Sequence, residues 1–186
     1  VELNATPFYF KSYDMEDGLS NNHVTCCVQD DYGFMWLGTR DGLNRFDSKK
    51  FYTFKSYSSE KGSLMSSYIL DLAKSPTGQI WVSTNLGLQK YDYQTDSFTL
   101  IDFTKGINCY SLQFDQQGNL WMILNGYSLV KYNESQGMHL NYMYKGSDPI
   151  TSFYITPQDQ IWATTANGNV VFLDDDKNEF IALDIK

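Results

Sequence analysis

Gly33-Phe34-Met35-Trp36-Leu37-Gly38-Thr39-Arg40-Asp41-Gly42-Leu43 recurs three more times along the chain in altered form. The further copies are Gly78-Gln79-Ile80-Trp81-Val82-Ser83-Thr84-Asn85-Leu86-Gly87-Leu88, Gly118-Asn119-Leu120-Trp121-Met122-Ile123-Leu124-Asn125-Gly126-Tyr127 and Asp159-Gln160-Ile161-Trp162-Ala163-Thr164-Thr165-Ala166-Asn167-Gly168. Together they hold all four tryptophans, spaced 45, 40 and 41 residues apart. A fixed period in that range marks a repeat architecture.

Counted from its Trp, every copy extends the same frame in both directions. Twelve residues before it stand Val24, Ile69, Cys109 and Ile150, and nine before it stand Cys27, Leu72, Leu112 and Phe153. Six before it come Asp30, Ser75, Asp115 and Thr156, small polar residues suited to a strand end. Three before it come Gly33, Gly78, Gly118 and Asp159, where a tight turn needs positive φ. Six after it come Gly42, Gly87 and Gly168, with Tyr127 as the exception. An aromatic closes the third strand at Phe46, Tyr91, Tyr132 and Phe172.

Each repeat therefore parses into four short strands, in the first copy 24–29, 34–39, 43–47 and 51–54. The turns between them are too short for a parallel return, which needs a dozen or more residues, so neighbouring strands are antiparallel. The implied fold class is all-β, a β-propeller of four-stranded antiparallel blades. A sandwich would show alternation without this positional recurrence of Trp and Gly. The expected repeats are 19–57, 64–103, 106–144 and 149–185, four blades of a partial ring. Segment 8–13 resembles 52–57 closely, which predicts one extra outer-type strand ahead of the first blade.

Hydrophobic residues make up 42% of the 186, aromatics 16% and charged residues 19%, a composition that favours a folded β-rich protein over a disordered one. The net charge of −8, with no Lys/Arg cluster, argues against nucleic acid and against an anionic membrane surface. No apolar run reaches the 18 or so residues of a membrane span, and Val1–Thr6 does not read as a signal peptide. Cys26, Cys27 and Cys109 form no CxxC pair and are expected as free thiols. No metal or cofactor is expected: His23 and His139 lack partners at ligand spacing, and Asp174-Asp175-Asp176 reads as a solvated hairpin turn rather than a calcium loop.

Asp30, Gly33, Trp36, Gly38-Thr39, Gly42-Leu43 and Phe46-Asp47 resemble the two-component regulator propeller repeat residue by residue, and Gly78, Trp81, Thr84, Gly87-Leu88 and Tyr91-Asp92 nearly do. Segment 16–22 also resembles the opening of the sensor region in hybrid two-component receptors. Asp31, five residues before Trp36, is similar to the Asp-box of sialidase propellers, in this copy alone. The two-component resemblance implies a periplasmic sensor region of a hybrid histidine kinase, with further blades, a membrane helix and a kinase core elsewhere in a longer protein. It also implies glycan fragments as ligands.

Trp36, Trp81, Trp121 and Trp162 are expected to wedge between blades, and Gly33, Gly78, Gly118, Gly42, Gly87 and Gly168 to shape turns. Candidate ligand-binding residues sit on the loops after the second strands: Arg40, Asp41, Asn85, Asn125, Tyr127 and Asn167. Their donors and acceptors suit the hydroxyls of an oligosaccharide or another small polar ligand. No nucleophile elbow, HExxH or paired-carboxylate motif stands out, so no catalytic residue is assigned. A propeller enzyme, a lyase or glycosidase, and a protein-binding scaffold are the rival readings. An open arc would leave a terminal blade uncovered, so self-association, or an unusually small closed ring, is also expected, with the remaining blades of a longer chain as further partners.

Overall fold

The computed structural model describes residues 9–57, 60–174 and 177–183. Among them, turns of a few residues fold each strand back on its predecessor, giving four antiparallel meanders. The first blade holds β1 (Val24–Gln29), β2 (Met35–Thr39), β3 (Gly42–Phe46) and β4 (Phe51–Phe54). The second holds β5 (Ile69–Lys74), β6 (Ile80–Thr84), β7 (Gly87–Asp92) and β8 (Ser97–Leu100). The third holds β9 (Cys109–Phe114), β10 (Leu120–Leu124), β11 (Ser128–Asn133) and β12 (Met138–Met143). The fourth holds β13 (Ile150–Ile155), β14 (Ile161–Thr165), β15 (Val170–Asp174) and β16 (Glu179–Ala182). The first strands of successive blades lie side by side, and the sheets form an open arc of a propeller.

Each first strand carries an irregular register, between Val24 and Cys26, Ile69 and Asp71, and Ile150 and Ser152, and in β9 opposite Trp121–Ile123. An extra residue at each place bends the inner strand and increases its local twist. The Thr25 hydroxyl in the first irregularity donates to the Ile69 carbonyl of the next blade, 2.9 Å away.

Alternation puts one face of each blade against the next, and three apolar clusters fill the gaps. Trp36 packs with Ile69, Leu72, Val82, Tyr91 and Phe98 between the first and second blades. Trp81 packs with Leu112, Leu120, Met122, Val130 and Tyr132 between the second and third. Trp121 packs with Ile150, Phe153, Ile161, Val171 and Leu173 between the third and fourth. These three indoles are 0%, 1% and 4% exposed, which places each repeat Trp as a wedge between blades. Trp162, on the outer side of the last blade, is only half-buried.

Gly33, Gly78 and Gly118 take φ of +88°, +82° and +81°, and Asp159 in the same slot takes +60°. At Gly78 a Cβ would also fall 2.2 Å from the Asp31 carboxylate of the preceding blade, which would have to swing aside from its place by Lys74. In the third repeat the glycine is displaced rather than lost. Leu124 pairs with Ser128, where Thr39 pairs with Gly42, so this turn has one more residue. Asn125 and Gly126, with φ of +49° and +84°, supply the left-handed backbone there.

The extra outer strand over 8–13 differs from expectation. Phe8 lies outside the described residues, and 9–13 are not in a strand, with Tyr9 and Phe10 at 92% and 94% exposure. Each of the four sheets already has its own fourth strand, so none presents a third strand awaiting this segment. The chain from Tyr13 onward packs against the first blade: Tyr13 lies edge-on to Phe46 at 4.9 Å, and Leu19 is buried. Ser20 N donates to the Asn44 amide oxygen at 3.0 Å, as Met65 N donates to Gln89 at 2.7 Å in the next blade. The N-terminal segment thus enters the first blade by the route that the link into the second blade takes. Val1–Thr6, Asp175-Asp176 and the end of the last expected repeat lie outside the described residues.

Cys26 and Cys27 point to opposite faces. Burial against the second blade pushes the Cys26 thiol up to about 12, burial does the same to Cys109, and Cys27 is exposed on a face no other sheet covers. Because the thiolate is the reactive form, the folded chain is expected to release one equivalent from Ellman's reagent at pH 8, and three once unfolded. Rapid labelling of two thiols in the folded chain would contradict this packing.

Candidate functional site

The turns divide between two rims. On one rim the second-strand turns meet the inter-blade links: Arg40 N donates to the His23 carbonyl, Gly42 N to Ser67, Asn125 N to Asn108, and Ala166 N to Pro149. On the other rim lie the turns that come after the first and third strands. All six candidate ligand-binding residues are on the first rim, one group per blade.

Each group is tied to its own blade or to the adjoining link. Asp41 forms an ion pair with Lys55 at 2.7 Å, and its N–H reaches the Thr39 hydroxyl at 3.1 Å. Arg40 is exposed. The Asn125 side-chain oxygen accepts from Asn108 N at 3.3 Å. Tyr127 is 45% exposed, and Tyr110 lies under the turn beside Gly126, its hydroxyl pushed to higher pKa by burial and by Tyr127. Asn167 N donates to the buried Asp148 carboxylate at 3.2 Å. Asn85 is half-buried, and its Oδ1 has no donor among the described residues. The rim therefore offers, in sequence around the arc, a cation–anion pair, an orphaned amide oxygen, a phenol and further amides. Asp148 and Tyr110 extend the set, and neither stood out in sequence because neither falls on the second-strand loop.

The other rim contains the best-ordered polar chemistry. Asp30 Oδ2 accepts from Trp36 Nε1 at 2.7 Å and from the Tyr93 hydroxyl at 3.0 Å, while Oδ1 accepts from Tyr32 N and Phe34 N at 3.0 and 2.9 Å. Asp115 repeats the arrangement with Trp121 Nε1 at 2.9 Å and Asn119 N at 2.8 Å. The residue six before each of these two Trp side chains is thus its indole acceptor, not merely a strand-end residue. Asp31, the residue similar to the Asp-box position, instead pairs with Lys74 at 2.6 Å across the blade boundary. Basic residues cover the indoles from above: Arg45, Lys90 and Lys131 sit 5.6, 5.8 and 5.2 Å from the ring centres of Trp36, Trp81 and Trp121. Most of these contacts brace single blades, and Tyr93–Asp30 and Asp31–Lys74 tie the first blade to the second.

Residues 18–41 match the family model described as two component regulator propeller. A curated relative, Histidine kinase P4 of Formosa agariphila, is 46% identical over 57 residues, which is 31% of this chain and 4% of that protein. A solved structure described as the extracellular domain of a hybrid two component system of B. thetaiotaomicron superposes with a TM-score of 0.83 at 23% identity. The superposition covers 95% of this chain and 26% of that one, so the chain spans about a quarter of the solved domain. Virginiamycin B lyase of Staphylococcus aureus shares the propeller fold more distantly, at 13% identity and a TM-score of 0.66, over 88% of this chain and 56% of the lyase. No helix among the described residues is long and apolar enough to cross a membrane. The chain is a β-propeller arc that carries a two component regulator propeller repeat and resembles the extracellular sensor regions of hybrid two-component systems.

Proposed function

We propose that the chain is a non-catalytic, extracytoplasmic ligand-sensing part of a hybrid two-component sensor kinase, responding to oligosaccharide fragments or another small polar ligand. The repeat match over 18–41, continued by a propeller fold along the rest of the chain, carries this reading. The second-strand rim supports a polar ligand: Arg40 and Tyr127 are solvent-facing and carry donors that suit sugar hydroxyls. A periplasmic location accords with the same reading. The propeller-enzyme reading draws on the lyase fold likeness, and turnover of a glycan panel by the complete propeller would favour it.

The expected result is that Arg40→Ala and Tyr127→Ala each weaken binding of a glycan fragment by the complete sensor domain about 3- to 10-fold, the scale of one or two lost hydrogen bonds. Calorimetric titration reads this directly. Unchanged affinity in both variants would place the site elsewhere.

The last blade's outer face also needs a partner. Trp162 and Phe172, with rings 5.6 Å apart, are half-buried there, and Tyr154 is 59% exposed. In the whole protein the following blade is proposed to cover this face, as the second covers Trp36. Alone, the 186-residue chain is expected to self-associate through it. Sedimentation velocity should show dimers or larger species that Trp162→Glu returns to monomer. A monodisperse monomer before substitution would count against the proposal.

A further inference from the structure

Trp81 is 1% exposed, yet its indole Nε1 has no hydrogen-bond partner among the described residues. The equivalent nitrogens of Trp36 and Trp121 donate to Asp30 and Asp115 at 2.7 and 2.9 Å. In the second blade Ser75 stands at that position, with its hydroxyl engaged to Thr77 at 2.9 Å and to Gln79 N at 3.1 Å. An unmet buried donor costs about 1–3 kcal/mol, so its presence beside two satisfied counterparts calls for an acceptor from outside the chain.

The nitrogen itself is closed to solvent, and space for an acceptor lies beside it, reached as the Ser75 and Thr77 side chains swing aside. A cleft of about 360 Å³ opens between the second and third blades, lined by Ser75, Thr77, Trp81, Gln117, Asn133 and Glu134 among others. It exists because of two local changes. Ser75 is shorter than an aspartate. Glu134, which comes after β11 as Tyr93 comes after β7, lies on the cleft wall paired with Lys90 and leaves the space unfilled. Tyr93 fills the corresponding space one blade earlier, 5.0 Å from the Tyr32 ring, and donates to Asp30. The cleft lies on the rim opposite Arg40 and its counterparts.

We propose that this cleft binds a small carboxylate, whose oxygens take the place that the Asp30 and Asp115 carboxylates occupy in the neighbouring blades. The third blade shows the donor set that such a group completes. Asp115 receives Trp121 Nε1 and lies 3.4 Å from Lys131 Nζ. In the second blade Trp81 Nε1 is the matching donor and Lys90, 5.8 Å from the Trp81 ring centre but outside the cleft lining, the matching cation, with the Ser75 and Thr77 hydroxyls free to rotate from each other toward the ligand. Glu134 is the opposing charge on the cleft wall and competes for Lys90. With Glu134 as the charge on the cleft wall and Lys90 already paired to it, a monoanion is better suited than a phosphate dianion. The volume suits an acid of monosaccharide size.

The test tracks the four indole N–H resonances of the isotopically labelled 186-residue chain as sodium D-glucuronate or acetate is added, with D-glucose as the neutral control. The Trp81 resonance is expected to shift downfield and saturate with either acid, while glucose leaves it in place. Ser75→Asp supplies the carboxylate from within the chain, so it should shift Trp81 in the absence of ligand and abolish the response. Glu134→Gln should tighten binding about 3-fold and Lys90→Gln weaken it by a similar factor, so the inference stays testable if Ser75→Asp folds poorly. A Trp81 signal unmoved by both acids, leaving water as its acceptor, would overturn the proposal. So would an equal response to glucose, or unchanged affinity in both the Glu134 and the Lys90 variant.

Discussion

At concentrations low enough to keep the chain monomeric, replacing Trp36 by alanine is expected to destabilise the fold by about 3–5 kcal/mol, while the same replacement at Trp162 costs less than about 1.5 kcal/mol. The two residues hold the same place in the repeat and differ in what covers them. Trp36 is fully buried, 4.7 Å from the Tyr91 ring and 5.7 Å from Phe54, with Arg45 above it and Asp30 on its nitrogen. Its removal empties the first blade interface and leaves Asp30 short of a donor. Trp162 leans on Phe172 and otherwise faces outward, so alanine there removes surface that is already partly wet. For a chain of this size the larger loss corresponds to a drop of roughly 6–20 °C in melting temperature, readable by calorimetry. Equal losses at the two positions would mean that the repeat Trp stabilises its own blade rather than the junction with the next.

That contrast also marks what sequence could reveal. Counting from Trp located the strands of the first blade within one residue, because a blade is a local meander whose turns and alternation are written in adjacent residues. The same counting placed Arg40, Asn85, Asn125 and Asn167 on a common rim. It could not show that Asp30 and Asp115 accept hydrogen bonds from the indole N–H groups, since a spacing of six residues across a hairpin becomes a contact only once the register is known. Contacts between blades were equally hidden: Asp31 with Lys74 and Tyr93 with Asp30 join residues 43 and 63 apart, with no fixed period to reveal them. The segment 8–13 misled for the opposite reason. Its likeness to 52–57 is real, but a strand needs a neighbour to pair with, and every sheet here is already four strands wide. The identity of a ligand lies further off still, because Asn and Asp are favoured in turns whether or not they bind anything.

Asp115→Ala is the second large loss, expected at about 3 kcal/mol. The carboxylate is 5% exposed and accepts from Asn119 N at 2.8 Å, from the Asn119 side-chain amide at 2.9 Å and from Trp121 Nε1 at 2.9 Å. Alanine leaves those buried donors unmet, whereas Lys131, 29% exposed, can turn toward water and adds little to the loss. The effect should carry a distinctive pH dependence. Burial by itself would raise the Asp115 carboxyl, but the Trp121 and Asn119 donors together with Lys131 hold it below the ordinary carboxylate value. A folded-state value below the unfolded one, about 3.9, stabilises the fold fully above that pH and progressively less as pH falls through the folded value. Urea midpoints should therefore separate the unsubstituted chain from Asp115→Asn by a constant margin from neutral pH down to about 5, and by a shrinking one below about 4. A margin that persists into stronger acid would mean that the amide's geometry, and not the loss of charge, is what weakens the blade. Trp121 would then be held by shape alone, and the aspartate six residues before the wedge would lose its standing as the latch of the repeat.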